Sequence, residues 1–238
     1  QAQGSRIITN AHLINEGKPI NLSGGKDTDF FFTSAENQEA CVDKLVHYAV
    51  KSLPAYYKVD PFRDVQVLTP MQRGAVGAVN LNQALQEAIN PGNMGLRRGG
   101  YLFKPQDKVM QIRNNYDKEV FNGDIGVIES VNQEEGSLMA DFDGRLVTYE
   151  ISELDELVLA YAATIHKSQG SEYPIVVMPV LMNHYIMLQR NLIYTGVTRA
   201  KKILVIVGTK KALAYAVHNV TVHRRNTLLK ERLMKMQR

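Results

Sequence analysis

The stretch Thr164-Ile165-His166-Lys167-Ser168-Gln169-Gly170-Ser171-Glu172-Tyr173, followed after an apolar run by Tyr194-Thr195-Gly196-Val197-Thr198-Arg199-Ala200-Lys201-Lys202, decides the architecture of this chain. Its apolar spacing predicts a helix over 162–168, a strand over 175–180, a helix over 188–200, a strand over 203–207 and a helix over 210–218. Strands that alternate with helices specify an α/β layer built on a parallel sheet.

Upstream the same alternation appears. Ser5 to Asn15 carries Ile7, Ile8, Ala11 and Ile14 at helical spacing, and a short apolar strand follows at 29–32. Ser34 is an N-cap candidate for a helix over 35–53, in which Cys41, Val42, Leu45, Val46 and Ala49 recur at helical intervals and Pro54 is the stop. A buried strand is expected at 65–68, a turn at its carboxyl end over 69–74, and a helix over 75–89 ended by Asn90-Pro91-Gly92. Between the two halves the texture changes. Short alternating runs at 108–113, 125–131, 138–142 and 145–151 are broken by Asn122-Gly123-Asp124, Glu135-Gly136 and Asp143-Gly144, the pattern of a compact β-barrel or meander. The expected organisation is an α/β domain over 1–107 and 160–222, a barrel inserted at 108–159, and a basic tail at 223–238.

Composition narrows the class. The 238 residues are 45% hydrophobic and 22% charged, enough for a core and for roughly one to two domains. A single cysteine, Cys41, makes no internal disulfide and fits a reducing compartment. The longest apolar run, 175–182, is far below the ~18 residues of a membrane span, so a cytoplasmic protein without a membrane partner is expected. A net charge of +4 is compatible with a polyanionic partner but does not require one. The chain starts at Gln1 with little lead-in before its first helix, which reads as a piece of a larger protein.

Arg199 is the sharpest chemical candidate. It follows Thr198 at the end of an apolar helix, and a guanidinium there can stabilise charge on a transferring phosphoryl group held by another domain. The plainer reading is a cation complementing a helix C-terminus. Thr164, His166 and Lys167 bring hydroxyl, imidazole and ammonium groups within one expected helical turn, a set suited to phosphate oxygens, although a lone histidine is commonly structural. Gly170 is a candidate C′ residue, and Glu172 can accept hydrogen bonds from a ribose hydroxyl or be ordinary surface. No G-x-x-x-x-G-K-[ST] segment occurs; Gly24-Gly25-Lys26-Asp27 has the wrong spacing and Asp in place of the hydroxyl. Nor is there an H-x-x-x-H or Cys-rich metal pattern, a nucleophile beside its base, or a dinucleotide glycine fingerprint.

These residues resemble a known family. T-I-H-K-S-Q-G-S-E-Y followed by Y-T-G-V-T-R-A-K-K resembles motifs V and VI of superfamily 1 DNA helicases, in particular the RecD-like branch. A-Q-G-S-R-I-I-T-N-A-H-L-I-N and V-L-T-P-M-Q-R-G-A-V-G resemble earlier segments of the same family, and F-N-G-D-I-G-V-I resembles the entry to its SH3-like barrel. The resemblance implies a RecA-like parallel sheet of the P-loop-NTPase type, without the P-loop, carrying an inserted SH3-like barrel. It implies two RecA-like domains clamping ATP and Mg²⁺ between them, with this chain supplying only the C-terminal one and the N-terminal RecA-like domain holding most of the nucleotide. Arg199 would then be an arginine finger, and Gln169, Gly170 and Glu172 would line the nucleotide. Thr164, His166, Lys167, Thr69, Met71 and Arg73 would lie along single-stranded DNA. The implied function is ATP-driven translocation, 5′-to-3′, in repair or recombination, with the fragment inactive alone.

The alternative is a non-catalytic nucleic-acid-binding or interaction module that kept the fold. Lys104, Lys108, Arg113 and Lys118 form either a basic extension of the DNA track, with Asn114 and Asn115 on phosphates, or a solvated face beside a protein-docking barrel. Tyr101, Phe103 and Tyr116 are base-stacking candidates or barrel core.

Overall fold

The computed structural model describes residues 4–23, 25 and 28–220. The expected tail at 223–238, and Gly24, Lys26 and Asp27, lie outside the described residues. In chain order the strands begin with β1 (Phe30–Ser34) and β2 (Val65–Thr69). They continue with β3 (Leu96–Arg98), β4 (Tyr101–Phe103), β5 (Lys108–Gln111), β6 (Ile125–Asn132), β7 (Ser137–Phe142), β8 (Arg145–Glu150) and β9 (Leu157–Leu159). They end with β10 (Ala162–Thr164), β11 (Tyr173–Val180) and β12 (Ala200–Gly208). The helices are α1 (Arg6–Glu16), α2 (Gln38–His47), α3 (Leu53–Tyr57), α4 (Ala78–Ile89), α5 (Arg190–Val197) and α6 (Lys210–His218).

Five strands form one wholly parallel sheet in the order β1-β12-β11-β2-β10. Successive side chains on its central strands alternate between two cores, as the strand period requires. Val67, Val177 and Val205 face Cys41 and Leu45 of α2 and Leu81 and Leu85 of α4. Leu68, Val176 and Leu204 face Ile14 of α1, Ile193 of α5 and Leu213 of α6. With helices on both faces, β2 is buried at every position, which explains its unbroken apolar reading. Among the described residues no helix is long and apolar enough to cross a membrane.

Several boundaries differ from those expected. The helix expected over 35–53 is capped by Asn37, whose side chain accepts from the Ala40 amide at 2.8 Å, not by Ser34. Nor does Pro54 end it. A five-residue π turn over Tyr48–Ser52 carries the chain into α3, with the Leu53 amide reaching back to the Tyr48 carbonyl. A proline removes one helical hydrogen bond and crowds the carbonyl four residues earlier, and the widened turn accommodates both losses. The helix expected over 75–89 begins at Ala78, because the amides of Ala78 and Val79 donate to the carbonyls of Met71 and Gln72 in the preceding turn. The helix expected over 188–200 is confined to Arg190–Val197. The segment 162–168 is not a helix: Ala162–Thr164 pairs with β2, and only Ile165–Ser168 turns, as a 3₁₀ element. Three residues added beside β2 at the edge of the parallel sheet gain ladder bonds that an isolated turn would not make.

The second sheet is antiparallel, in the order β8-β7-β6-β5-β9. Tyr149, Ile128, Leu138 and Phe103 are at its fully buried centre. A hairpin, β3 paired with β4, precedes it and was not anticipated from the sequence. Its Gly99-Gly100 tip has positive φ at both positions, the two-residue turn geometry that a twisted hairpin favours.

A buried polar seam joins barrel and parallel sheet. The Asp107 carboxylate, with no exposure, accepts from Gln86 Nε2, Asn90 Nδ2, the Lys104 amide and the Tyr161 hydroxyl at 2.5–2.9 Å. Burial raises its pKa despite those donors. Beside it Lys108 Nζ donates to Gln66 Oε1 at 2.9 Å, and Gln66 Nε2 donates to the carbonyls of Ala160 and Tyr161. Lys104 and Lys108 are therefore neither a basic track nor a solvated face: both are buried, and burial pulls the Lys108 ammonium down to about 8. Lys118 is engaged as well, bonded to Glu153 and the Thr148 carbonyl at 2.6 Å, and only Arg113 of the four is exposed. Lys108 was grouped with the others by its charge, but Gln66 of the parallel sheet hydrogen-bonds it and β5 is buried at every position.

Candidate nucleotide and nucleic-acid faces

Parallel pairing fixes which candidate residues share an end of the sheet. Thr69 and Thr164 are register partners at the carboxyl ends of β2 and β10. Glu172 and Arg199 immediately precede Tyr173 and Ala200, which are register partners at the amino ends of β11 and β12. Ile175 pairs with Val65, so Tyr173 and Thr69 are six residue steps apart along the strands, about 20 Å at ~3.3 Å per residue. The candidate residues are thus divided between the two ends of the sheet. Arg199 and Glu172 are at the opposite end, because helix α5 returns the chain to the start of β12 before Arg199 is reached.

At the amino end the two motifs are tied together. Arg199 Nη1 donates to the Ser171 carbonyl at 2.9 Å and its Nε to the Thr195 carbonyl at 3.2 Å. The Tyr173 amide donates to the Arg199 carbonyl at 2.9 Å. Lys201 Nζ is 3.2 Å from Glu172 Oε2, an exposed pair worth little to folding but able to orient the carboxylate. Gly170 adopts φ +89 and has no atom within 4 Å of where a Cβ would stand, so its backbone is open to an approaching group. Gln169 is exposed beside it. Among the described residues this edge presents a guanidinium with Nη2 unengaged, an exposed carboxylate and open backbone, groups suited to a nucleotide. A cleft of about 900 Å³ lies between this loop and the barrel, lined by Ser171, Glu172, Tyr173, Asp124 and Asp141. Among the described residues no cluster of three or more Asp, Glu, His or Cys side chains is placed to hold a metal.

At the carboxyl end the hydroxyls singled out in the sequence are used internally. Thr69 is fully buried and donates to the Val76 carbonyl at 2.7 Å, shaping the turn to α4. Thr164 is nearly buried and caps the 3₁₀ turn by accepting from the Lys167 amide at 3.4 Å. The outward groups are His166, Lys167 and Arg73, all exposed, with Met71 partly so. Arg73 rides a turn closed by Gly77, where a Cβ would meet the Arg73 backbone at 2.5 Å. Asn114 and Asn115 do not join this group: Asn114 Oδ1 accepts from the Asn122 amide, and Asn115 bonds Glu156 and the Lys118 amide within the barrel. Sequence reasoning passed over Gln72, which is exposed and borders the same small cavity as Thr164 and Lys167.

Residues 81–142 match the family described as the ATP-dependent RecD-like DNA helicase SH3 domain, and residues 159–207 match the UvrD-like helicase C-terminal domain. Over 169 residues the chain is 41% identical to an ATP-dependent RecD2 DNA helicase of Deinococcus radiodurans, covering 71% of this chain and 23% of that protein. The resemblance to RecD-like helicases is established. A RecBCD enzyme subunit RecD of Haemophilus influenzae is 31% identical over 252 residues, covering 92% of this chain and 37% of that protein. The chain thus spans well under half the length of the RecD-like relatives it matches, and it fits their C-terminal region. In fold it is similar to a Bacteroides Pif1 helicase solved with ADP-AlF3 and ssDNA, at TM-score 0.54 and 13% identity over 99% of this chain and 55% of that one. A Pif1 helicase from Candida albicans gives TM-score 0.52 at 17% identity, over 96% of this chain and 57% of that one. The fold is accordingly α/β, a RecA-like parallel sheet with an SH3-like barrel.

Proposed function

We propose that this chain is the second motor domain of an ATP-dependent RecD-like DNA helicase, completing at its amino-end edge a nucleotide site whose phosphate loop belongs to an N-terminal RecA-like domain of the same protein. The observation that carries this reading is the separation across the sheet, with Arg199 and Glu172 at one end and Lys167, His166 and Arg73 at the other. ATP supplies the phosphoryl transfer whose free energy drives the cycle, with Mg²⁺ held mainly by the N-terminal domain. Arg199 turns its free Nη2 toward the developing phosphate charge, where an arginine finger contributes about 10³–10⁵ in rate. Glu172, steadied by Lys201, accepts from the ribose side, and Gly170 with Gln169 lets the backbone come close.

Lys167, His166 and Arg73 grip the single-stranded DNA backbone, which makes the grip tolerant of sequence and sensitive to salt. Movement of one domain on the other converts turnover into translocation. The 5′-to-3′ direction rests on the RecD-like resemblance, as do repair and recombination as the setting and the cytoplasm as the place. The same reading keeps an inserted unit near 108–159 between two α/β segments. A protein partner for the barrel belongs to the same reading.

The test is ATP hydrolysis by the chain alone and mixed with the N-terminal part, with and without oligothymidine. Turnover only in the mixture, raised by the oligomer, is the expected result. A folded, associated mixture without turnover identifies a non-catalytic module, and turnover by the chain alone overturns the shared site.

A further inference from the structure

The hairpin β3–β4 has no part in the reading above, and its two aromatic residues have different fates. Phe103 is fully buried in the core, whereas Tyr101, two residues earlier on the same strand face, is only partly covered, its ring 5.8 Å from that of Phe103. The sequence left both as stacking residues or core; the structure separates them. Tyr101 borders the small cavity that is also lined by Gln72, Thr164 and Lys167, at the carboxyl ends of β2 and β10. The hairpin is firmly mounted there. Gln86 Nε2 donates to the Leu102 carbonyl at 2.7 Å, Gln133 Nε2 to the Gly95 carbonyl at 2.9 Å, and Arg98 makes two bonds of 2.9–3.0 Å to Asp155. Among the described residues the Tyr101 hydroxyl, the Gln72 amide and the Lys167 ammonium have no hydrogen-bond partner, although partial burial raises the Tyr101 pKa and lowers that of Lys167. A rigid aromatic ring beside an unpaired cation and amide matches the pairing of base stacking with backbone contact used on single strands.

We infer that Tyr101 is a base-stacking residue of the single-strand track, with Gln72 and Lys167 holding the adjoining phosphates, so that the hairpin extends the track from the parallel sheet toward the barrel. This rests on the proposed nucleic-acid face at the carboxyl end. Stacking uses the ring and not the hydroxyl, and it exchanges no counterion.

The experiment measures binding of a fluorescent oligothymidine to the full-length protein across a salt series, for Tyr101→Leu, Tyr101→Phe and Lys167→Ala. Expected are about a tenfold loss for Tyr101→Leu with an unchanged salt slope, near-native binding for Tyr101→Phe, and a slope smaller by about one for Lys167→Ala. Native binding by Tyr101→Leu alongside weakened Lys167→Ala overturns this inference and leaves the face standing. Native binding by all three removes the face itself. Photocrosslinking of a 5-iodouracil oligomer to the unsubstituted protein keeps the question open to test if Tyr101→Leu fails to fold: attachment at Tyr101 supports the inference, and attachment only elsewhere contradicts it.

Discussion

Arg199 donates from Nη1 to the carbonyl oxygen of Ser171 at 2.9 Å, joining the residue before β12 to the loop before β11. One side chain thereby fixes the relative position of the two motifs that face the proposed nucleotide. The bond lies at a half-buried edge open to water, so the loss of the side chain costs the fold about 1–2 kcal/mol. Urea denaturation of Arg199→Ala is expected to show a midpoint close to that of the unsubstituted protein with an unchanged slope. A loss of several kcal/mol would make the residue structural first.

Arg73 and Asn114 separate the two candidate stretches of track. Arg73 is exposed at the carboxyl end of β2, whereas Asn114 is committed to the Asn122 amide in the barrel. Arg73→Ala is expected to lower the salt dependence of oligothymidine binding by about one ion, while Asn114→Ala leaves it unchanged. Binding titrations at several salt concentrations read both, and a reversed pattern would place the strand on the barrel.

Lys108 gives a pH signature. Burial holds its pKa near 8 in the fold, against an ordinary value of 10.5, although Asp60 and Asp64 offset part of the effect. Between these values the unfolded chain binds more protons, so stability rises with pH across that window and the penalty is present in full below about 8. Relative to Lys108→Met, the unsubstituted protein is expected to gain ~1–3 kcal/mol between pH 7 and 10. Denaturant titrations at both pH values check this, and a pH-independent difference would show a solvated lysine that titrates alike in the folded and unfolded chain.

How much of this was legible in the sequence depends on range. The strand and helix alternation around β11 and β12 was readable because both strands are buried on two faces and announce themselves as apolar runs. The placement of Lys108 was not, since its cover is Gln66, forty-two positions earlier, and no local pattern records that contact. Segment 162–168 misled for a related reason: Ala162-Ala163-Thr164 has no strong preference of its own and becomes a strand only because Val67 to Thr69 offers a partner.

Candidate residues could be named from the sequence, whereas their placement could not. Arg199, Glu172 and Gly170 were named from their motifs, but which end of the sheet holds them follows from strand register alone. Thr69 and Thr164 carry hydroxyls of the right kind, yet both are used as turn caps, while Gln72 and Tyr101 carried no motif signal. Burial distinguishes Tyr101 from Phe103; composition cannot.

The most direct test of the account is steady-state ATP hydrolysis, at saturating oligothymidine, by the full-length protein carrying Arg199→Ala. The account predicts a fall of about 10³-fold or more with oligothymidine affinity essentially unchanged. Near-native turnover, or a loss of DNA affinity with turnover preserved, would contradict the assignment of Arg199 and the division of labour between the two ends of the sheet.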